Sequence, residues 1–173
     1  MNRPISDTEG HGTAVAAVAA AGRNGTQIQG VAFSSTILAF NTANPNNCDK
    51  DDGCQHSDRE ITQGIDLARA NGARVINISL GGEGAGSNVL QAVGRAAQAG
   101  IVVVVSAGND GEKTIGANPD AFALQLANAG NGLVIIAGAH NATRGIAAFS
   151  KIHDGSTKGK RPTIALPSRP KVP

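Results

Sequence analysis

The sequence predicts an α/β protein arranged in three layers, a mostly parallel sheet flanked by helices. Three observations carry that prediction. Short apolar strand candidates alternate with helical segments along the middle of the chain, an order that brings strands together in parallel with right-handed crossovers. One candidate, "IVVVVS" at 101–106, opens with five consecutive apolar residues, which suits a strand covered on both faces. Finally, 23 glycines punctuate a chain that is 40% apolar, a balance fit for a globular α/β domain and not for a fibrous or disordered one. A chain of 173 residues makes roughly one domain and can bury a core.

The elements follow in order. "GTAVAAVAAAG" at 12–22 is rich in helix-favouring alanine and stops at Gly22, and its small side chains let another backbone approach closely. "TILAFN" at 36–41 reads as a short strand, and the acidic, Asn-rich stretch 42–56 as a loop. A helix follows at 57–72, opened by the capping box of Ser57 and Glu60, with Ile61, Ile65 and Ala68 on one face and Gly72 at its exit. "RVINISL" at 74–80 is a strand leading into the glycine-rich loop "GGEGAGS". Ser87 then stands as the cap of a helix whose inner face carries Val89, Leu90, Val93 and Ala97, ending at Gly100. Beyond 101–106, strands are expected at 133–138 and 146–150, and the periodicity stops after Ser150.

Composition excludes several function classes. No Trp or Tyr is present and Phe occurs four times, so modules that stack bases on aromatic faces are excluded and no nucleic-acid partner is expected. No apolar run reaches the roughly 18–20 residues of a membrane span, and "NRPISD" after Met1 is no secretory signal. Residues 151–173 carry six Lys and Arg against Asp154 alone, with four of the seven prolines; such a segment reads as a disordered basic tail or as an arm for an anionic surface. Cys48 and Cys54 flank "CDKDDGC", a spacing that could close as a disulfide in an oxidising compartment or leave two free thiols in a reducing one. No further Cys or His stands at zinc-ligand spacing. Asp49, Asp51, Asp52 and Gly53 break the calcium-loop pattern, so no metal and no cofactor is expected. Glycosylation sequons begin at Asn24, Asn77 and Asn141; the one at Asn77 falls in a strand expected to be buried, which makes that match accidental.

In parallel sheets the working residues gather beyond the carboxyl ends of the strands. Three glycine-bearing segments, "GHGT", "SLGG" and "SAGNDG", stand at such ends or at a helix entrance. Taken alone, each has a plain structural use: His11 as a surface or capping residue, Gly81 and Gly82 as a strand exit, Asn109 as a left-handed turn residue. Together, "GHGTAVA", "ISLGG" and "VVSAGNDG" resemble, in order and spacing, the motifs of the subtilisin-like serine endopeptidases, the subtilase family, over about residues 7–150. The Cys-containing loop and the "AAFS" ending look most like the extracellular, autotransported bacterial branch.

The resemblance implies a subtilisin-like fold and a peptide-hydrolysing activity. It implies that His11 is the catalytic general base and that Asn109 donates its carboxamide to the oxyanion. Ser79, Leu80, Gly81 and Gly82 would wall the primary specificity pocket, Gly108 would leave room for substrate, and an extended polypeptide would be the partner. The family's nucleophile, a Ser after Gly-Thr at the head of a small-residue helix, has no counterpart here; Ser156 in "DGSTKGK" precedes lysines. The triad aspartate lies tens of residues before the histidine in the family, whereas Asp7 belongs to the local approach to His11. The expectation is therefore an incomplete subtilase domain over 1–150, inactive alone or kept as a non-catalytic peptide-binding remnant. Residues 151–173 would be disordered or out of frame. The family implies an extracellular or cell-surface setting, while the chain as written, without a leader, would remain cytoplasmic. Open sheet edges would favour self-association.

Overall fold

The computed structural model describes residues 7, 9–25, 28–49, 53–111, 118–143, 145–151 and 163–167. Asp51, Asp52, Asp154, Ser156 and most of the basic segment 151–173 lie outside them. The chain divides into two compact units, Met1–Gly64 and Ile65–Pro173.

In the first unit, α1 spans His11–Ala20 behind Gly10, whose φ of 75° places it in the left-handed region glycine tolerates. The chain then turns back along the last turn of α1. Gly30, Val31 and Ala32 donate their amides to the carbonyls of Ala21, Val18 and Ala19, and a Cβ on Gly30 would run into the backbone of Ala20 and Ala21. The close approach expected of this alanine-rich helix is thus made by glycine at the return segment, and no residue of α1 is fully buried. Its boundary also falls at Ala20, two residues short of Gly22.

Two sequence expectations are corrected in this unit. Residues 36–41 form no strand. The stretch 42–56, expected as a loop, folds as an antiparallel hairpin of β1 (Ala43–Asp49) and β2 (Gly53–His56). Cys48 pairs with Cys54 in its register and the two are joined by a disulfide, so a covalent tie and cross-strand pairing override the low strand propensity of Asn and Asp.

Helix α2 (Asp58–Ala70) contains the boundary between the units. Its capping box is formed as the sequence predicts: the Glu60 amide donates to Ser57 Oγ at 3.3 Å and Ser57 Oγ donates to Glu60 Oε2 at 2.9 Å. Gly72, with φ 75°, ends it: the Gly72 and Ala73 amides donate to the carbonyls of Arg69 and Ala68.

The second unit is a four-stranded parallel sheet in the order β3 (Val75–Ile78), β4 (Val102–Ser106), β5 (Val134–His140), β6 (Thr163–Pro167). Helices α3 (Ser87–Gln98) and α4 (Ala121–Ala129) connect the first three strands. Val89, Ala92, Val93 and Ala96 of α3 meet Val103 and Val105 of β4 and Leu126 of α4 in a core where each has no measurable exposure. The helical period of 3.6 and the strand period of 2 thus converge on one apolar layer. The α/β class is as predicted.

Details differ. Val102 and Val104 are only half-buried, so β4 alternates where the apolar run suggested equal cover on both faces. Asn77 is exposed on β3, contrary to the buried position expected for it. Ser87 opens α3 but does not cap it; Gly86 holds the cap position, and no side chain there bonds the helix amides. Residues 146–150 form a turn with an isolated bridge between Ile146 and His140 instead of a strand. The last strand is β6, in a region where the sequence reading places none.

Candidate active site

In the first unit His11, the residue the sequence singles out there, is exposed in the opening turn of α1. The capping role is taken by Asp7, whose carboxylate accepts from the Gly10 amide at 3.1 Å and the Thr13 amide at 2.6 Å. Hydrogen bonding by Thr13, first through its side chain and then its amide, holds the Asp7 carboxyl below its ordinary range, with His11 a smaller contributor. Asp7 therefore fixes the helix entrance and leaves the imidazole of His11 outside the cap. His56, half-buried in β2, bonds Thr42 Oγ1 at 2.8 Å, and burial lowers its pKa.

In the second unit the glycine-bearing segments after β3 and β4 lie side by side. Asn77 Nδ2 donates to Ser79 Oγ at 2.9 Å, and Ser106 Oγ donates to the Leu80 carbonyl at 2.6 Å, tying one exit to the other. Ser79 and Leu80 are half-buried; Gly81 and Gly82 are exposed. Past β4, the left-handed turn belongs to Gly108, with φ 103°. Asn109 does not share it, which removes the reading of Asn109 as a left-handed turn residue. Its side chain is exposed.

Ser79, Gly108 and Asn109 line one cleft of about 140 Å³ at the carboxyl ends of β3, β4 and β5, together with Ser106, Gly138 and Ser150. Its polar groups are backbone amides, hydroxyls and the two carboxamides of Asn77 and Asn109, a set able to bind a peptide backbone and to donate to an oxygen.

Asp120 and Lys151 escaped the sequence reading. Asp120 precedes "AFALQLA" as an N-cap would, yet its carboxylate does not cap α4. It accepts instead from the Gly82 amide at 3.3 Å and from Lys151 Nζ at 2.6 Å. The Asp120 amide donates to the Ala107 carbonyl, and that of Lys151 to Gly108. Asp followed by an apolar helix was the available signal; that the carboxylate would face the glycines was not, because its partners come from three distant segments.

Among the described residues, the group of potential metal donors is Glu9 with Cys48 and Cys54. The two sulfurs are committed to their disulfide, and Glu9 alone makes no metal site. No helix of the described residues is long and apolar enough to cross a membrane.

Comparison with known proteins gives consistent matches. The model of the subtilase family matches residues 1–171. Subtilisin DY of Bacillus licheniformis is 39% identical over 115 residues, covering 64% of this chain and 39% of the relative. Alkaline elastase YaB of Bacillus sp. (strain YaB) is 33% identical over 125 residues, 72% of this chain and 30% of the relative. A thermostable alkaline protease of Halalkalibacterium halodurans is 37% identical over 109 residues, 63% of this chain and 28% of its own length. The chain thus spans well under half the length of these relatives. Among solved structures, the prenylagaramide maturation protease PagA aligns with TM-score 0.44 and 22% identity, over 59% of this chain and 35% of that one.

Proposed function

Because the chain belongs to the subtilase family, we propose that it forms part of the catalytic domain of a subtilisin-like serine endopeptidase. In this reading His11 is the general base that takes the proton of an attacking hydroxyl and returns it to the leaving amine. Asn109 donates its carboxamide to the oxygen on which charge develops. Residues 79–82, with Gly108 opposite, hold an extended polypeptide by adding it as a strand. The observation that carries the reading is the exposed Asn109 carboxamide beside Gly108 at the mouth of a cleft that Ser79 also lines.

The 173 residues contain no Gly-Thr-Ser segment. We therefore read this polypeptide as one that grips peptides without hydrolysing them by itself, a binding remnant or a piece of a larger enzyme. The disulfide between Cys48 and Cys54 supports action in an oxidising, extracellular setting, where such bonds persist. The test is direct. The purified chain should bind an extended peptide, with backbone amide shifts at residues 79–82, and should neither cleave it nor react with a serine-directed fluorophosphonate. Labelling of any serine overturns the inactivity; peptide binding unchanged by substitutions at Ser79 and Leu80 overturns the groove.

A further inference from the structure

The hairpin of the first unit carries a carboxylate against its disulfide. Glu9 Oε1 lies 2.9 Å from Cys54 Sγ, although 45 residues separate the two in the chain. The Asn44 carbonyl oxygen lies 3.3 Å from Cys48 Sγ, so each sulfur faces an oxygen. One donor atom from each of Glu9, Cys48 and Cys54 lies within 4.8 Å of the other two. Glu9 and Cys48 are exposed and Cys54 is half-buried, which opens the group to solutes.

We propose that Glu9, Cys48 and Cys54 form a redox-gated site for a thiophilic divalent cation of the zinc class, closed while the disulfide stands and opened by its reduction. A disulfide is uncharged and offers a cation little. A reductant of the thiol or phosphine class delivers two electrons, the S–S bond breaks, and two protons from solvent complete two thiols. These thiols stand beside a carboxylate, whose charge opposes formation of the thiolates. A divalent cation reverses that balance. It sends both thiol protons to solvent and gathers two thiolates and one carboxylate, so that one net negative charge remains where three would otherwise meet. Ligand type selects the ion. Calcium takes roughly six to eight oxygens, whereas two sulfurs and one oxygen suit zinc or cadmium, with water in the fourth position. Donors about 2.0–2.3 Å from a tetrahedral zinc stand under about 4 Å apart, so small side-chain rotations at the hairpin complete the site. The same residues thus tie the hairpin covalently in an oxidising setting and bind metal in a reducing one. None of the three is used in the reading of His11, Asn109 and residues 79–82 as peptide-hydrolysing machinery.

The experiment uses the full chain, reduced with a water-soluble phosphine and freed of it by desalting under argon. Cadmium chloride is then titrated in, and the ultraviolet absorption of the cadmium–thiolate bond is followed. Cys48 and Cys54 are the two cysteines of the chain, so the signal reports on this pair alone. The reduced chain should bind one equivalent, and the oxidised chain should give no signal. Zinc chloride should compete for the same equivalent. Glu9→Gln removes the carboxylate while keeping both thiols, and should weaken binding by about tenfold or more. The reduced parent chain in concentrated urea keeps the thiols but loses the placement of Glu9, and should bind as weakly as that variant. Absence of a one-equivalent endpoint in the reduced chain overturns the site. Equal affinity in Glu9→Gln, or in urea, also overturns it, because a bare dithiol would then account for the binding without the folded hairpin or its carboxylate.

Discussion

The imidazole of His56 lies half-buried against Thr42, and burial makes its charged form costly, so its pKa in the folded chain is below the ordinary 6.5. Below that ordinary value the unfolded chain takes up a proton that the folded hairpin resists. The His56 contribution to stability is therefore complete above about pH 6.5 and is lost as pH falls through the folded pKa. The urea midpoint should drop from about pH 7.5 to about pH 5, and His56→Gln should flatten that part of the profile; an equal drop in the variant would assign the effect elsewhere. Glycine makes a second residue-scale argument. Gly100 has φ 77° and open space around its missing Cβ, whereas Gly108 has φ 103° and the Asp120 carboxylate within 2.6–2.7 Å. Gly100→Ala should cost about 1–2 kcal/mol from backbone strain alone. Gly108→Ala should exceed about 2 kcal/mol, because strain and displacement of a nearly buried carboxylate add. Denaturant titration of both variants compares them, and equal costs would mean that the Asp120 carboxylate moves freely away from position 108.

At the scale of elements, helix ends separate what a sequence shows from what it conceals. Ser57 closes its capping box with Glu60, while Ser87, the same residue type before an equally periodic segment, leaves the cap position to Gly86. Ser57→Ala should therefore cost about 0.5–2 kcal/mol, and Ser87→Ala should be nearly neutral; thermal melts of the two variants decide it, and a costly Ser87→Ala would show a cap that this geometry lacks. The contrast also explains what was legible. The box at Ser57 and the glycine exits at Gly72 and Gly100 are local rules, satisfied within five residues, and they were readable. The strand at Ala43–Asp49 was not, because its stability comes from pairing across a disulfide-closed hairpin and not from its own Asn and Asp residues. Residues 36–41 failed in the opposite sense, being apolar enough for a strand but paired with none. The site divides the same way: "SLGG" and "SAGND" carry their shape in short motifs, whereas the meeting of Asp120 with Lys151 and Gly82 joins positions up to 38 residues apart and has no signature in any one segment.

At the scale of the whole molecule, the sheet is where the fold meets its surroundings. Within the described residues β3 and β6 are the outer strands of the second unit, and an outer strand offers a row of unpaired amides and carbonyls to any other chain. On β3 the side chains add to that hazard: Val75 is 59% exposed, and the other apolar residues of the strand, Ile76 and Ile78, are turned to the core. Charge repulsion on the strand is also weak, since its four residues are Val, Ile, Asn and Ile. We therefore expect the chain to self-associate through β3, and a single lysine on its outward face to oppose this, as natural outer strands do. Val75→Lys should shift the sedimentation profile toward the monomer at equal concentration. It should leave the melting temperature within a few degrees, because the substituted side chain is in solvent and not in the core. Peptide binding at residues 79–82 should persist in the variant, as the lysine is placed at the opposite end of β3 from the glycine exit. If Val75→Lys associates as the parent chain does, β3 is not the contact, and the hairpin of the first unit or β6 becomes the surface to vary next.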